Sequence, residues 1–238
     1  MTQTSAVPVL ALPQPEEADA ELRDALAILY SSLNHDVSVG LRHTVAFCEV
    51  LVDREGQTDE EQSSRGRQVA ASASDSQKVL NMMIGLARAA MRPEAAAPVN
   101  LQEMAKAAQH EAGTDFAIDL PEGQLSVPPL KTHDILVSFL RTLDALVDDK
   151  DSLSVRLESD QDALRIVGQG ASGQVRPIGL PRFFKPFKFK HEFPPGKTKP
   201  AIFTIKLFAA WMGGATSVHS WPEGNGFCLQ TVIPAKAV

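Results

Sequence analysis

Residues 33–41 read Leu33-Asn34-His35-Asp36-Val37-Ser38-Val39-Gly40-Leu41. They lie inside a longer pattern, 17–54, in which Leu22, Leu26, Leu29, Leu33, Val37, Leu41, Val45, Cys48 and Val52 recur every three or four residues. That spacing is the period of one face of an α-helix. Gly40 alone works against it, at a cost of about 1 kcal/mol relative to alanine. At 1.5 Å per residue such a helix is about 55 Å long, too long for a small globular core and suited to a bundle or coiled coil. Residues 54–59, Arg-Glu-Gly-Gln-Thr-Asp, then read as a turn with a following helix N-cap.

A second helix is expected over 60–91. Val69, Ala73, Ser76, Leu80, Met83, Ala87 and Ala90 form its stripe, widened by Val79, Ile84 and Leu86. Alanine and serine along that stripe let two helices approach closely. Joined by a short turn, the two make an antiparallel helical hairpin, spanning 17–92 as a domain. A lone hairpin leaves an apolar face bare. The simplest cover is a second copy, giving a homodimer with a four-helix bundle. Residues 1–16 carry neither a basic region nor an apolar core, and read as a disordered lead.

Residues 93–98, with two prolines and three alanines, read as a linker. Beyond it the texture changes, and 99–238 reads as a second domain. A helix is expected over 100–112 with Asn100 as its cap, a strand over 116–120 and a helix over 132–148. A β-hairpin should follow over 152–157 and 163–167, then a helix over 200–212 stopped by Gly213-Gly214. A second hairpin, 216–220 with 226–233, should turn at Pro222-Glu223-Gly224-Asn225. Helices mixed with paired strands indicate an α/β sandwich.

Composition excludes several classes. At 238 residues, 44% hydrophobic and 22% charged, the chain has the balance of a globular protein. No apolar run reaches about 18 residues, so a membrane span is not expected. A net charge of −6 gives no general case for nucleic-acid binding. Cys48 and Cys228 are far apart and set among apolar residues, which reads as two buried free thiols in a reducing, cytoplasmic setting. His110, His191 and His219 share no metal-ligand spacing, so no metal is expected.

The chemistry therefore concentrates at His35. A neutral imidazole is a competent nucleophile toward phosphorus, and its ordinary pKa of about 6.5 leaves it mostly neutral near pH 7. Asp36 follows at once and can accept a proton or orient the ring. Leu33 and Val37 flank the seam, which puts His35 on the other side of the helix.

The order of elements resembles the transmitter region of a bacterial sensor histidine kinase, a dimerisation hairpin followed by a kinase-type ATPase domain. Four stretches carry the resemblance: Asn34-His35-Asp36-Val37 to the phosphoacceptor box, Phe183-Phe184-Lys185-Pro186-Phe187 to the aromatic box before the ATP lid, Trp211-Met212-Gly213-Gly214 to the end of the following helix, and 217–234 to the last hairpin. The resemblance implies that His35 accepts phosphate and that Asp36 assists. It also implies a polar residue four positions after the histidine in members that dephosphorylate their partners. Val39 stands there and cannot hydrogen-bond, which argues against phosphatase action. Gly40 stands where the family usually has a proline at a bend.

The nucleotide-binding features depart from the family pattern. The helix that should supply a magnesium-holding asparagine reads Phe139-Leu140-Arg141-Thr142-Leu143-Asp144-Ala145, with no asparagine. The adenine-recognising stretch reads Ile166-Val167-Gly168-Gln169-Gly170-Ala171-Ser172-Gly173, keeping glycines but lacking the aspartate. The phosphate loop of the lid is replaced by Gly196-Lys197-Thr198-Lys199-Pro200, whose proline removes a backbone donor. Three losses together indicate a degenerate ATPase domain that no longer binds ATP.

The expected protein is thus a histidine phosphotransferase of a two-component phosphorelay. It would be a phosphoprotein in signal transduction, carrying phosphate on His35 between receiver-domain aspartates. Ser38, Val39 and Arg42 should lie at the contact with the response-regulator receiver. No cofactor of its own is expected, and magnesium would come with the receiver. The alternatives are a divergent ATP-dependent histidine kinase and a non-catalytic pseudokinase scaffold that binds a kinase or response regulator.

Two further stretches invite interpretation. The segment 182–206 holds Arg182, Lys185, Lys188, Lys190, Lys197, Lys199 and Lys206 against the single acid Glu192. Phe183, Phe184, Phe187, Phe189 and Phe193 are interleaved with them, a sixth, Phe203, lying in the helix expected over 200–212. The segment could dock an acidic or phosphate-bearing partner, or be a former lid anchored by its aromatics. His133-Asp134 repeats the His-Asp pair, but its place before an apolar run reads as helix N-terminal capping.

Overall fold

A computed structural model describes residues 8–32, 34, 38–52, 59–173, 175, 177, 180, 183–184, 198–221 and 225–238. The chain divides into two compact units, Ala27–Ala89 and a larger one made of Met1–Leu26 with Ala90–Val238. It mixes helices with two β-sheets, the fold class the sequence indicates.

In the expected first helix, α1 spans Pro15–Ser32 and α2 spans Ser38–Val52. Between them Asn34 has π-type helical backbone. The expected second helix is α3, Asp59–Met91. Within the smaller unit, α2 and α3 meet through small residues. A Cβ on Gly40 would lie 1.6 Å from Ser76 Oγ and 2.8 Å from its Cβ, so only glycine permits this approach. Ser72 Oγ donates to the Gly40 carbonyl at 3.4 Å, and Thr44 Oγ1 donates to the same oxygen at 2.9 Å. Gly40 is therefore a point of close helix contact, as the alanine and serine stripe of α3 suggests.

One expectation fails here. Cys48 is exposed rather than buried. It shares an outward face with Leu41 and Val45, which are 55% and 56% exposed, because Gly40 takes the inward position.

The larger unit follows the expected order with corrections. β1 (Ala97–Asn100) occupies the end of the expected linker and pairs antiparallel with β3 (Gln124–Val127), which in turn pairs with β8 (Lys236–Ala237). Pro98 is tolerated because β1 is an edge strand. Helix α4 is Leu101–Ala112, and Asn100 caps it by accepting from Gln102 N and Glu103 N at 2.9 and 3.1 Å. The expected strand at 116–120 shortens to β2, Ile118–Asp119.

Helix α5, Pro129–Leu146, starts three residues earlier than expected, with proline at its first turn. Strands β4 (Asp149–Ser159), β5 (Ala163–Ala171), β6 (Ala215–Ser220) and β7 (Gly226–Pro234) form the main sheet in the order β2-β4-β5-β7-β6. β2 runs parallel to β4 and the rest are antiparallel. Helix α6, Thr198–Trp211, packs against α5, and α5 packs against α4 and β5.

The capping role assigned to His133 and Asp134 belongs elsewhere. Glu94 reaches the N-terminus of α5, its carboxylate accepting from Leu130 N at 2.6 Å and Lys131 N at 3.1 Å. Pro128 occupies the cap position and has no side-chain acceptor of its own. A carboxylate at a helix N-terminus satisfies two orphan donors and opposes the helix dipole.

The expected disordered lead is also corrected, for the residues described. Leu10 and Leu12 pack against Ala163, Ala215 and Val232 on the sheet face away from α5. Gln230 fixes the backbone there: its Oε1 accepts from Leu10 N at 3.0 Å and its Nε2 donates to Pro8 O at 3.0 Å. Arg165 Nε donates to Leu10 O at 2.9 Å. The first half of α1 is tied to the same unit. Lys206 of α6, almost wholly buried, places Nζ 3.0 Å from both Glu21 Oε2 and Asp24 Oδ2.

Replacing Lys206 with methionine keeps most of the packing volume and removes the charge. Glu21 and Asp24 stay in contact with water, so the loss should be about 1–2 kcal/mol, below the 3–5 of a fully buried broken pair. Urea unfolding of Lys206→Met checks this; unchanged stability would mean the three groups are not coupled.

Candidate functional site

His35 and Asp36 lie outside the described residues, as do Leu33 and Val37. Their flanks are described. Ser38 opens α2, and its hydroxyl donates to Asn34 Oδ1 at 3.4 Å, one helical turn back. Ser38 and Val39 are half-buried, whereas Arg42 is exposed. Ser38 and Arg42 are four apart in α2, so they share one strip of its surface. That strip offers a hydroxyl and a guanidinium, with the Asn34 amide within hydrogen-bond reach of the hydroxyl. Val39 stands beside it and contributes no hydrogen bond.

The structure assigns the departures in the larger unit to definite contacts. Arg141 on α5 donates from Nη2 to the Glu111 carbonyl at 2.8 Å, and its guanidinium lies 3.8 Å from the Glu111 carboxylate. One α5 turn on, the Asp144 carboxylate pairs with Lys150 Nζ at 2.8 Å, and the same ammonium donates to the Asp144 carbonyl at 2.5 Å. Both charged side chains on this face are therefore engaged by protein groups.

The glycines read as remnants of an adenine loop have a different role. Gly168 and Gly170 lie inside β5. A Cβ at Gly168 would come within 2.4 Å of Leu143 and 2.7 Å of Phe139, and one at Gly170 within 2.7 Å of Val147. They are small because α5 presses on the strand. After the strand, Asp148 Oδ2 accepts from Gly173 N at 2.7 Å, and Ser172 N donates to the Asn225 carbonyl at 3.0 Å. In the stretch replacing the phosphate loop, Thr198, Lys199 and Pro200 form the first turn of α6, while Gly196 and Lys197 lie outside the described residues.

The aromatic box contributes Phe183 and Phe184, whose rings meet edge to face at 5.2 Å. Phe183 is buried and faces Phe227 at 6.5 Å. Lys206 Nζ stands 5.3 Å from the Phe184 ring centre, a cation–π contact. Lys206 is thus removed from the docking patch read from the sequence: its ammonium serves Glu21, Asp24 and Phe184. Of the other basic residues in that patch, only Lys199 falls within the described backbone.

His133 is likewise engaged, with Nδ1 3.9 Å from Glu111 Oε2. Partial burial lifts the Asp134 carboxyl above the usual carboxylate range; His133 opposes the rise, while Glu111 and Glu94 add to it. Burial pushes the Cys228 thiol up, which suits an inert core cysteine.

No protein-family model matches the chain. No curated protein matches it. Solved structures do. The Acinetobacter baumannii histidine kinase AdeS superposes with a TM-score of 0.53 at 9% identity, over 84% of this chain and 97% of that one. Full-length ShkA, solved in complex with AMPPNP, superposes with a TM-score of 0.51 at 17% identity. That match covers 95% of this chain but 47% of ShkA, so the chain spans about half the length of that protein. The fold is that of a sensor histidine kinase transmitter region.

Gly40 joins this fold to a measurable consequence. A Gly40→Ala substitution gains about 1 kcal/mol of helix propensity but forces Ser76 aside, an overpacking cost of about 1–3 kcal/mol. The net expectation is destabilisation of the smaller unit. Pairing it with Ser76→Ala removes the closest atom and should restore part of the loss. Chemical unfolding of the single and double variants tests this, and a stabilised Gly40→Ala protein would contradict the close crossing.

Proposed function

We propose that this chain is a histidine phosphotransferase of a two-component phosphorelay, working without ATP. A nitrogen of the His35 imidazole attacks the phosphorus of an aspartyl phosphate on a receiver domain. The N–P bond forms as the bond from phosphorus to the carboxylate oxygen breaks, releasing the receiver aspartate as carboxylate. The ring proton passes to Asp36 or to water. A second receiver aspartate then reverses the sequence and regenerates neutral His35. Phosphoryl transfer of this kind needs mainly positioning and charge handling, and magnesium comes with the receiver.

The observation that carries this reading is the state of α5. In a fold that holds AMPPNP in ShkA, the face where the resemblance places a magnesium-holding amide carries two engaged charges here, Arg141 with Glu111 and Asp144 with Lys150. A guanidinium repels a metal, and a carboxylate already paired with an ammonium is a poor ligand for one. Ser38 and Arg42 on α2, three and seven residues after His35 in sequence, offer a hydroxyl and a guanidinium that suit the anionic surface of a phosphorylated receiver.

The test has two arms. Receiver domains labelled with radioactive phosphate from a small phosphodonor should transfer label to the chain, and His35→Ala should abolish it. Incubation with γ-labelled ATP alone should leave the chain unlabelled. Label from ATP would replace the proposal with a divergent kinase. No label from either, with the cellular effect intact in His35→Ala, would replace it with a scaffold.

The same reading includes a homodimer. Tyr30, Leu41, Val45 and Ile84 of the smaller unit are exposed large apolar residues, Tyr30 at 72%. A second copy covering them makes a four-helix bundle. Leu41→Glu with Val45→Glu should convert a dimer to a monomer in light scattering; a wild-type protein of monomeric mass would refute this part.

A further inference from the structure

The larger unit contains an open cleft of about 900 Å³ that the phosphotransfer reading does not use. It sits where the segment after α3, the N-terminus of α5 and the end of α6 come together. Leu12, Trp211 and Met212 give it an apolar wall, and Arg92, Lys131 and Lys236 also line it. Its size is within the range of small-molecule sites, about 300–1,000 Å³.

The informative group is Lys131. The residue is 6% exposed, and Nζ donates to the Arg92 carbonyl at 2.5 Å. An ammonium has three donors, and among the described residues no carboxylate lies within 4 Å of this one. Glu94 also lines the cleft, but its carboxylate is committed to the backbone N–H groups of Leu130 and Lys131. Asp162, the other acid there, is exposed. The three cations thus outnumber the two acids, one of them held by backbone N–H groups, and Lys131 Nζ meets a neutral carbonyl rather than a carboxylate. A buried ammonium without a directly paired carboxylate is costly, so the cleft favours an anion.

We infer that this cleft binds an amphipathic anion: a small molecule with a carboxylate or phosphate head held by Lys131, Arg92 and Lys236, and an aromatic or branched apolar body against Trp211, Met212 and Leu12. This site is independent of His35 and of the phosphotransfer proposal.

Trp211 provides the readout. With Trp221 changed to phenylalanine, Trp211 is the only tryptophan left in the chain. The probes are 4-phenylbutyrate, 4-phenylbutyl phosphate, the neutral 4-phenylbutyramide and inorganic phosphate, titrated to millimolar concentrations. Both anionic phenyl probes should shift the emission and bind about tenfold or more tightly than the amide, the ratio expected for a charge-assisted contact. Lys131→Met should weaken them by about tenfold or more. Arg92 and Lys236 are exposed, so Arg92→Gln with Lys236→Gln leaves the core intact; it should weaken binding by about fivefold. This double variant decides the matter should Lys131→Met fail to fold. Equal affinity for acid and amide, indifference to the double variant, or no emission change with any probe would each overturn the site. Inorganic phosphate binding as well as the phenyl probes would overturn its apolar half.

Discussion

The close approach of α5 to β5 is the constraint from which the larger unit takes its form. Phe139, Leu143 and Val147, each four residues apart, press against a strand that has no side chains at Gly168 and Gly170. A methyl group at either position would overlap them, so the helix has one rotation about its axis. That rotation turns Arg141 to the opposite side, roughly half a turn from the packed row, and Asp144 to the flank, about 100° round from Leu143. There they meet Glu111 and Lys150. Packing in the core thus decides what chemistry the outer face of α5 can offer.

The ion pairs themselves add little stability. Arg141 and Asp144 remain 39% and 54% exposed, and pairs of that kind contribute about 0–1 kcal/mol. Their consequence is chemical. On the proposed reading, they occupy the side chains that would otherwise meet a metal and its phosphates. On the proposed reading, a nucleotide fold has been kept for its shape while its polar face has been given to internal partners, which leaves His35 to draw phosphate from another protein.

What was legible in the sequence was the part governed by local periodicity. The stripe of α3, the Asn100 cap and the hairpin of β4 with β5 each depend on residues close together in the chain. What was not legible depended on contacts across the chain. Glu94 caps a helix that begins 35 residues later, and Leu10 is anchored by Gln230 across 220 residues. The glycines of β5 looked like a ligand loop because a glycine required by packing and one required by a phosphate read alike. The alternation of Leu10 and Leu12 was a signal for the ordered N-terminal arm, but two residues are too few to establish a period. Lys206 reads as a surface charge in sequence because its carboxylate partners, Glu21 and Asp24, lie far away on α1.

The smaller unit shows how one residue choice produces a second requirement. Gly40, Ser72 and Ser76 let α2 and α3 approach almost backbone to backbone. A helix face made of such small groups buries little apolar area, and hydrophobic stabilisation scales with that area. The large residues Leu41 and Val45 lie about 100° around α2 from Gly40 and Thr44, and remain exposed within one chain. A hairpin whose helices met through leucine and valine would have covered them and stood by itself. With the small residues turned inward, Leu41 and Val45 face outward, and on the proposed reading a second copy covers them.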